Sequence, residues 1–301
     1  MVKIKLPPKL PFKKLGLAGL GLIGGSLAKA LIPFGGLELY IFDRDPATVA
    51  AARRVRRFAA VTDEVETFLG WPLDLAYLCL PVHHNIQLLE LLARRRAPYP
   101  VTDAGSTKGP IADAAARAGL VFCGGHPISG REVSGWANSS ADLMRGCLFI
   151  LTPPDNAGPE VRALAEKLRA LHELLDCRVR VMSPADHDRL YGLVSHLPYL
   201  AAAALAGTVL RQGGPESLAW AGTGFSDSTR VGASAPSKWV EIIMQNADNL
   251  VVNIEALRSL LAEISAGLTN RDEAGLLSLL EPIAAFRGQL INTSLATGKK
   301  V

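Results

Sequence analysis

The residues best suited to chemistry fall in a few short stretches. His126 stands in Gly124-Gly-His-Pro-Ile-Ser-Gly130. Glycines beside it let backbone come close to a ligand, and an imidazole that titrates near neutrality suits a general base. The plainer alternative is a histidine that satisfies backbone groups in a turn. Asp103-Ala-Gly-Ser-Thr-Lys108 offers a hydroxyl at Ser106 and an amine at Lys108. A helix N-cap and a surface lysine are the plain readings of those two. Further on, His196 lies in an apolar run, where a satisfied core histidine is the usual outcome. Arg230 ends the Gly/Ser/Thr-rich stretch 224–230. Ligand contacts concentrate in such breaks, and a guanidinium matches a carboxylate in bidentate fashion; a structural salt bridge is the alternative. Asp186-His187-Asp188 has metal-like composition, but its side chains do not converge on one helix face, so no metal is expected.

A second group of residues reads as a cofactor turn. In 14–26 a short apolar run enters Gly19-Leu-Gly21-Leu22-Ile23-Gly24 and continues into helix-like sequence. This strand–turn–helix context is what a dinucleotide fingerprint requires. Gly19 makes the tight turn, Gly21 lets the backbone approach a pyrophosphate, and Gly24 lets helix and strand pack. The helix N-terminus, with Leu22 and Ile23, offers N–H donors to the phosphates. Asp43 ends a second apolar run, 37–42, and is placed to accept hydrogen bonds from the adenosine ribose. That favours NAD over NADP, against which Arg44 stands as a guanidinium able to hold a 2′-phosphate. Pro81, at the end of the apolar run 74–80, is a further candidate cofactor contact.

Positioning these residues takes two kinds of element. Strand-like and helix-like segments alternate from 14 to about 182, which predicts a doubly wound, Rossmann-type parallel sheet. From 184 onward only helical runs appear, chiefly 188–210, 237–266 and 272–293, with breaks at 213–215 and 221–237. The expected organisation is a dinucleotide-binding domain over 1–182 and an all-helical substrate and dimerisation domain over 183–301. A small helical unit rich in apolar residues often buries them against a second copy, so a homodimer is expected.

Composition is that of a globular chain with an ordinary surface. The 301 residues carry a formal charge of +4 and are 49% hydrophobic. So mild a charge does not argue for nucleic acid, and the arginine clusters at 53–57 and 94–96 suit solvated helix faces. The longest apolar stretch, 197–210, suits a buried core helix rather than a membrane span. The N-terminus does not read as a signal peptide. Cys79, Cys123, Cys147 and Cys177 show no metal-ligand spacing; all four are expected as thiols in a reducing compartment, the first three buried. A cytoplasmic location follows as an expectation.

In order along the chain, these motifs resemble the prephenate and arogenate dehydrogenase family of tyrosine biosynthesis. The resemblance is carried by 19–26, 103–108, Gly124-Gly-His-Pro127, Ser195-His-Leu-Pro198, Phe225-Ser-Asp-Ser-Thr-Arg230 and Trp239. It implies an NAD(P)-dependent oxidative decarboxylation of prephenate to 4-hydroxyphenylpyruvate, or of arogenate to tyrosine. By the resemblance, His126 takes the proton of the ring hydroxyl and Ser106 contacts the same hydroxyl. Arg230 binds a substrate carboxylate, His196 and Trp239 line the pocket, and Glu132 matches an acidic gate. Two departures bear on the substrate side chain: Tyr199 stands where many relatives have histidine, and Arg131 where a smaller residue is usual. They keep arogenate and 4-amino-4-deoxyprephenate open as substrates. The reading that competes from another class is a non-catalytic, NAD-binding redox sensor. A β-hydroxyacid dehydrogenase is a further alternative, though no lysine motif supports it in the helical half.

Overall fold

The structure is a computed structural model and describes residues 10–130 and 133–297. Eight strands form one sheet: β1 Lys14–Ala18, β2 Glu38–Phe42, β3 Phe58–Thr62, β4 Leu75–Leu78, β5 Val101–Asp103, β6 Phe122–Ile128, β7 Leu148–Thr152 and β8 Arg178–Val181. In the first part of the chain they are joined by helices α1 Leu22–Leu31, α2 Pro46–Ala52, α3 Val65–Leu69, α4 Val82–Arg94, α5 Gly109–Arg117 and α6 Pro159–Leu174. The helices that follow are α7 Pro184–Tyr191, α8 Leu197–Gly213, α9 Thr223–Thr229, α10 Pro236–Gln245, α11 Ala247–Asn270 and α12 Glu273–Thr297.

Strand order is β3-β2-β1-β4-β5-β6-β7-β8. The order reverses between β1 and β4, and in open α/β sheets ligands bind beyond the carboxyl ends of the strands at that point. Side chains of successive strand residues go to opposite faces, and the core divides accordingly. Leu15, Leu17, Leu75 and Tyr77 join one apolar cluster, while Ala18, Ala76 and Leu78 join another. Burial on both faces is what a central parallel sheet covered by helices demands.

The sheet departs from the expected all-parallel pairing at one place. β6 and β7 run antiparallel, with His126 opposite Ile150. The described part of the connection, 129–147, holds only two single-turn helices, Trp136–Asn138 and Ala141–Leu143. A parallel return needs a crossover, usually helical, of a dozen or more residues; this link turns the chain back instead. β6 also runs through His126, where the glycines suggested a loop.

Beyond Val181 the described chain has no strand. The expected helical run over 188–210 lies in one continuous run, Pro184–Gly213, in which α7 and α8 are joined through a π-helical turn at Gly192–His196. Such turns insert an extra residue and re-aim the side chains that follow; they are frequent at functional sites. The expectation that 197–210 is a buried core helix is corrected: in α8 only Tyr199 and Ala202 are buried. Leu205 and Leu210 of this helix are exposed among the described residues. The set of buried cysteines also differs. Cys123, Cys147 and Cys177 are buried and Cys79 is half-buried, with the sulfurs of Cys147 and Cys177 3.5 Å apart. By backbone contacts the chain divides into compact units at Ala247/Asp248. Helices α7 to α10 thus belong with the sheet.

Candidate active site

The glycine turn has the geometry its sequence demands. Gly19 has φ +96° and donates its N–H to Phe42 O at 2.7 Å. A Cβ at Gly24 would lie 1.9 Å from Gly19 O, so only glycine fits where α1 crosses the turn. A Cβ at Gly21 would meet nothing within 4 Å: this backbone faces open space. Gly21 is the N-cap of α1, and no side chain caps that end. The first N–H groups of the helix, Leu22 and Ile23 among them, have no partner inside the helix and suit an anion. Asp43 stands at the carboxyl end of β2, where its carboxylate accepts N–H groups from Leu20 at 2.6 Å and Asp45 at 2.9 Å. Pro81 is the exposed N-cap of α4.

Beside this turn runs a chain of polar contacts. The Arg44 guanidinium reaches His84 Nε2 at 3.1 Å, and His84 meets His83 at 3.1 Å. His83 Nδ1 stands 2.8 Å from the Glu241 carboxylate on α10. Burial, then neighbouring His83 and Arg44, push the pKa of His84 down.

Lys108 overturns its reading as a surface residue. It is fully buried, and its Nζ donates to Asp103 Oδ1 at 2.7 Å, Asp103 Oδ2 at 2.6 Å and Gly125 O at 2.7 Å. This explains the two glycines before His126. A Cβ at Gly124 would lie 2.4 Å from Thr152 Oγ1 and 3.2 Å from Lys108 Cδ; one at Gly125 would lie 2.6 Å from Asp103 O. The backbone approach that these glycines permit is to the protein's own ion pair and strand neighbours. Ser106, half-buried in the loop between β5 and α5, is not the N-cap of α5. That end is held by Asp188 from α7, whose carboxylate accepts the N–H groups of Lys108 at 2.8 Å and Gly109 at 2.7 Å.

His126 stands on β6, half-buried, one strand over from the Ser106 loop. Its Nδ1 lies 2.8 Å from His187 Nε2, and His187 Nδ1 lies 2.7 Å from Asp188 Oδ1. Tyr191 stacks on the His187 ring with centroids 4.5 Å apart. Burial pushes His126 well below the ordinary histidine pKa of 6.5, and the positive fields of His187, Lys108, His196 and Lys238 act in the same direction. A histidine so placed is neutral at neutral pH and able to accept a proton.

The helical part adds an aromatic cluster. His196 is buried, with Nδ1 3.1 Å from Asn246 Nδ2, and its ring meets Trp239 edge to face at 6.1 Å. Burial takes its pKa to about 4. Tyr199 stacks on Trp239 at 4.1 Å with an interplanar angle of 3°. Arg230 is exposed at the end of α9 and opens the turn Arg230–Ala233. That turn seats on α8 so closely that a Cβ at Gly232 would lie 3.1 Å from Ala203 N. Glu132 and Arg131 lie outside the described residues. Sequence reading missed the partnership of His187 and Asp188 with His126. Their metal-like cluster was visible, but a contact across about sixty residues leaves no periodic trace. Asp186 bonds Ser183 and Arg189 instead, so the two carboxylates of that cluster serve different partners.

Comparison with known proteins decides the family. Residues 27–181 match the model described as prephenate dehydrogenase, nucleotide-binding domain, and 183–282 that of the prephenate dehydrogenase dimerization domain. The chain belongs to the prephenate dehydrogenase family. It is 30% identical over 245 residues to the prephenate dehydrogenase of Bacillus subtilis, an alignment that takes in 78% of this chain and 64% of that one. The chain thus matches just under two thirds of that relative's length. Among solved structures, prephenate dehydrogenase from A. aeolicus, in complex with hydroxyphenyl propionate and NAD+, superposes with TM-score 0.85 at 29% identity, covering 92% of this chain and 98% of that one. Synechocystis arogenate dehydrogenase superposes with TM-score 0.79 at 28% identity, covering 92% and 99%. The family's two-part plan is the one seen here: a nucleotide-binding sheet followed by helices.

Proposed function

We propose that this member of the family is an NAD-dependent dehydrogenase that converts prephenate to 4-hydroxyphenylpyruvate and carbon dioxide. The observation that carries the reading is His126, a neutral imidazole backed through Nδ1 by His187 on the strand next to the Ser106 loop. NAD fits the residues present: an open backbone at Gly21, an uncapped α1 N-terminus and Asp43 beside the turn. Gly19, Gly21, Leu22, Ile23, Gly24, Asp43 and Pro81 would hold it, and when bound it supplies the hydride acceptor. NAD is also the cofactor of the A. aeolicus complex.

The protein's own residues do the rest. Arg230 holds a substrate carboxylate, while His196 and Trp239 line the ring pocket. Ser106 hydrogen-bonds the C4 hydroxyl. His126 takes the proton of that hydroxyl as C4 becomes a carbonyl; loss of the ring carboxylate as carbon dioxide then leaves an aromatic phenol. Aromatisation makes the step irreversible without metal assistance.

In this reading 1–182 bind the dinucleotide and 183–301 serve substrate and assembly. A homodimer is supported by the match to a dimerization domain and by exposed apolar residues such as Leu205 and Leu210 on α8. The run Pro184–Gly213 is apolar enough to cross a membrane by length and composition. Its His187, Asp188 and His196 are buried in hydrogen bonds to protein groups, which favours a second copy over lipid as its cover. Light scattering on the purified protein is expected to give twice the chain mass.

The deciding assay supplies purified protein with prephenate or arogenate, and NAD or NADP, and follows absorbance of the reduced nicotinamide. Turnover of prephenate with NAD is expected to give the highest kcat/KM. Preference for arogenate would move the assignment to the second substrate, with Tyr199 against Trp239 as the residue to vary. No turnover of either would leave 4-amino-4-deoxyprephenate as the substrate to try, and failure there a non-catalytic NAD-binding protein.

A further inference from the structure

His187 sits against Nδ1 of His126, and Asp188 sits against His187 in turn. We propose that His187 and Asp188 are positioning residues: they dictate which nitrogen of His126 carries its hydrogen, and so keep Nε2 bare for the substrate hydroxyl. This rests on His126 being the base of the reaction proposed above.

The order of donors follows from one end. Asp188 is almost wholly buried and accepts two backbone N–H groups at the start of α5. Both contacts require acceptor oxygens, and an anion beside a helix N-terminus is favoured there. The same carboxylate lies 2.7 Å from His187 Nδ1, so Nδ1 is the protonated nitrogen of His187. Burial lowers the pKa of His187 despite Asp188, which keeps the ring neutral. A neutral ring protonated at Nδ1 has a bare Nε2. That Nε2 lies 2.8 Å from His126 Nδ1 and can only accept, so His126 must donate from Nδ1. The remaining nitrogen of His126 is then unprotonated.

Three features fit a device rather than an accident of packing. Tyr191 stacks on His187 and sits 5.1 Å from His126, fixing both ring planes. Asp188 ties the relay to the N-terminus of α5, next to the buried Lys108–Asp103 pair that grips Gly125 O. The charged and titratable groups around His126 come from every side: His187, Asp188 and Tyr191 on α7, Lys108 and Asp103 from β5 and the loop after it, His196 at the start of α8, and Lys238 on α10. The lysines Lys108 and Lys238 oppose an imidazolium, so the Asp188-backed hydrogen bond through His187 is a local support for the charge His126 gains in turnover. The arrangement parallels an acid that orients a histidine base, in which the wrong tautomer alone costs about four orders of magnitude.

The test reads the tautomer directly. Protein carrying ¹⁵N-labelled histidine is examined by long-range ¹H–¹⁵N correlation at pH 7.5, with and without NAD. His126 is expected to be protonated at Nδ1 and bare at Nε2. In His187→Phe, which keeps the stack on Tyr191, that preference should vanish, and kcat with prephenate should fall about 10²-fold or more. KM should stay within about threefold, because the carboxylate contacts lie elsewhere. His187→Gln places an amide oxygen near the lost Nε2, so it should restore the tautomer and recover most of the lost kcat. Wild-type His126 protonated at Nε2 would overturn the proposal, as would a His187→Phe variant with wild-type tautomer and rate. Should His187→Phe fail to fold, the wild-type tautomer and His187→Gln still decide. Wild-type protein inert toward prephenate, yet showing the expected tautomer, would defeat the proposed reaction and leave this assignment standing.

Discussion

At the scale of single residues, the proposed reaction gives His126 and Arg230 separable work, and their variants should show it. His126→Asn keeps a hydrogen-bonding side chain but removes the base, so kcat should fall about 10²–10⁴-fold. A wild-type kcat would remove His126 from its role. Because its pKa lies well below 6.5, the base stays neutral on moderate acidification. The acid limb of the kcat/KM profile should therefore lie below pH 6.5; a limb above it would mean that the surroundings favour the imidazolium. In the proposed reaction Arg230 contributes through a substrate carboxylate and not through proton transfer. Arg230→Ala should mainly raise KM, by about 2–5 kcal/mol if the pair is desolvated. Unchanged KM with depressed kcat would contradict the assignment. Both residues stood out as candidates in the sequence, since a histidine among glycines and an arginine in a polar break are local signals. The orientation of His126 did not, because His187 reaches it only in three dimensions.

At the scale of elements, the sequence marked the strands and helices of the sheet half through apolar runs and glycine turns. It failed where one element leans on another. Lys108 looked solvent-facing because its partners lie in other segments: Asp103 at the end of β5, and the space left by hydrogen at Gly124 on β6. The π-turn at Gly192–His196 was equally silent, since a continuous apolar run shows no extra residue. The buried ion pair gives a sharp expectation. Lys108→Met removes one charge and leaves the Asp103 carboxylate without its cation, supported only by the N–H groups of Gly105 and Gly125. Breaking a buried pair in this way costs about 3–5 kcal/mol. Urea denaturation of the variant should show a loss of that order, with the floor beneath His126 loosened. A loss under about 1 kcal/mol, the usual worth of an exposed pair, would mean that water reaches this site.

At the scale of the molecule, buried neutral histidines tie folding to pH. His172 is fully buried: its Nδ1 meets Leu168 O at 2.7 Å, its Nε2 meets Tyr77 OH at 3.1 Å, and its ring stacks on Phe149 at 3.6 Å. Burial carries its pKa to about 4, as it does for His196, and lowers His126 and His187 as well. In the unfolded chain these groups titrate near 6.5. Between pH 6.5 and 4 the unfolded state therefore binds protons that the folded state refuses, and stability falls as pH is lowered through that window. Above 6.5 both states are neutral and the effect is absent; below 4 it saturates. For His172 and His196, a displacement of about 2.5 units is worth on the order of 3 kcal/mol each. Urea midpoints should thus be level from pH 8 to 7 and drop steeply from 6.5 towards 4.5. In His172→Gln, an uncharged side chain able to bond Tyr77, the drop should be shallower by roughly one histidine's share. A midpoint level from pH 7 to 5 would mean that the histidines protonate in place and that the core around Phe149 admits water.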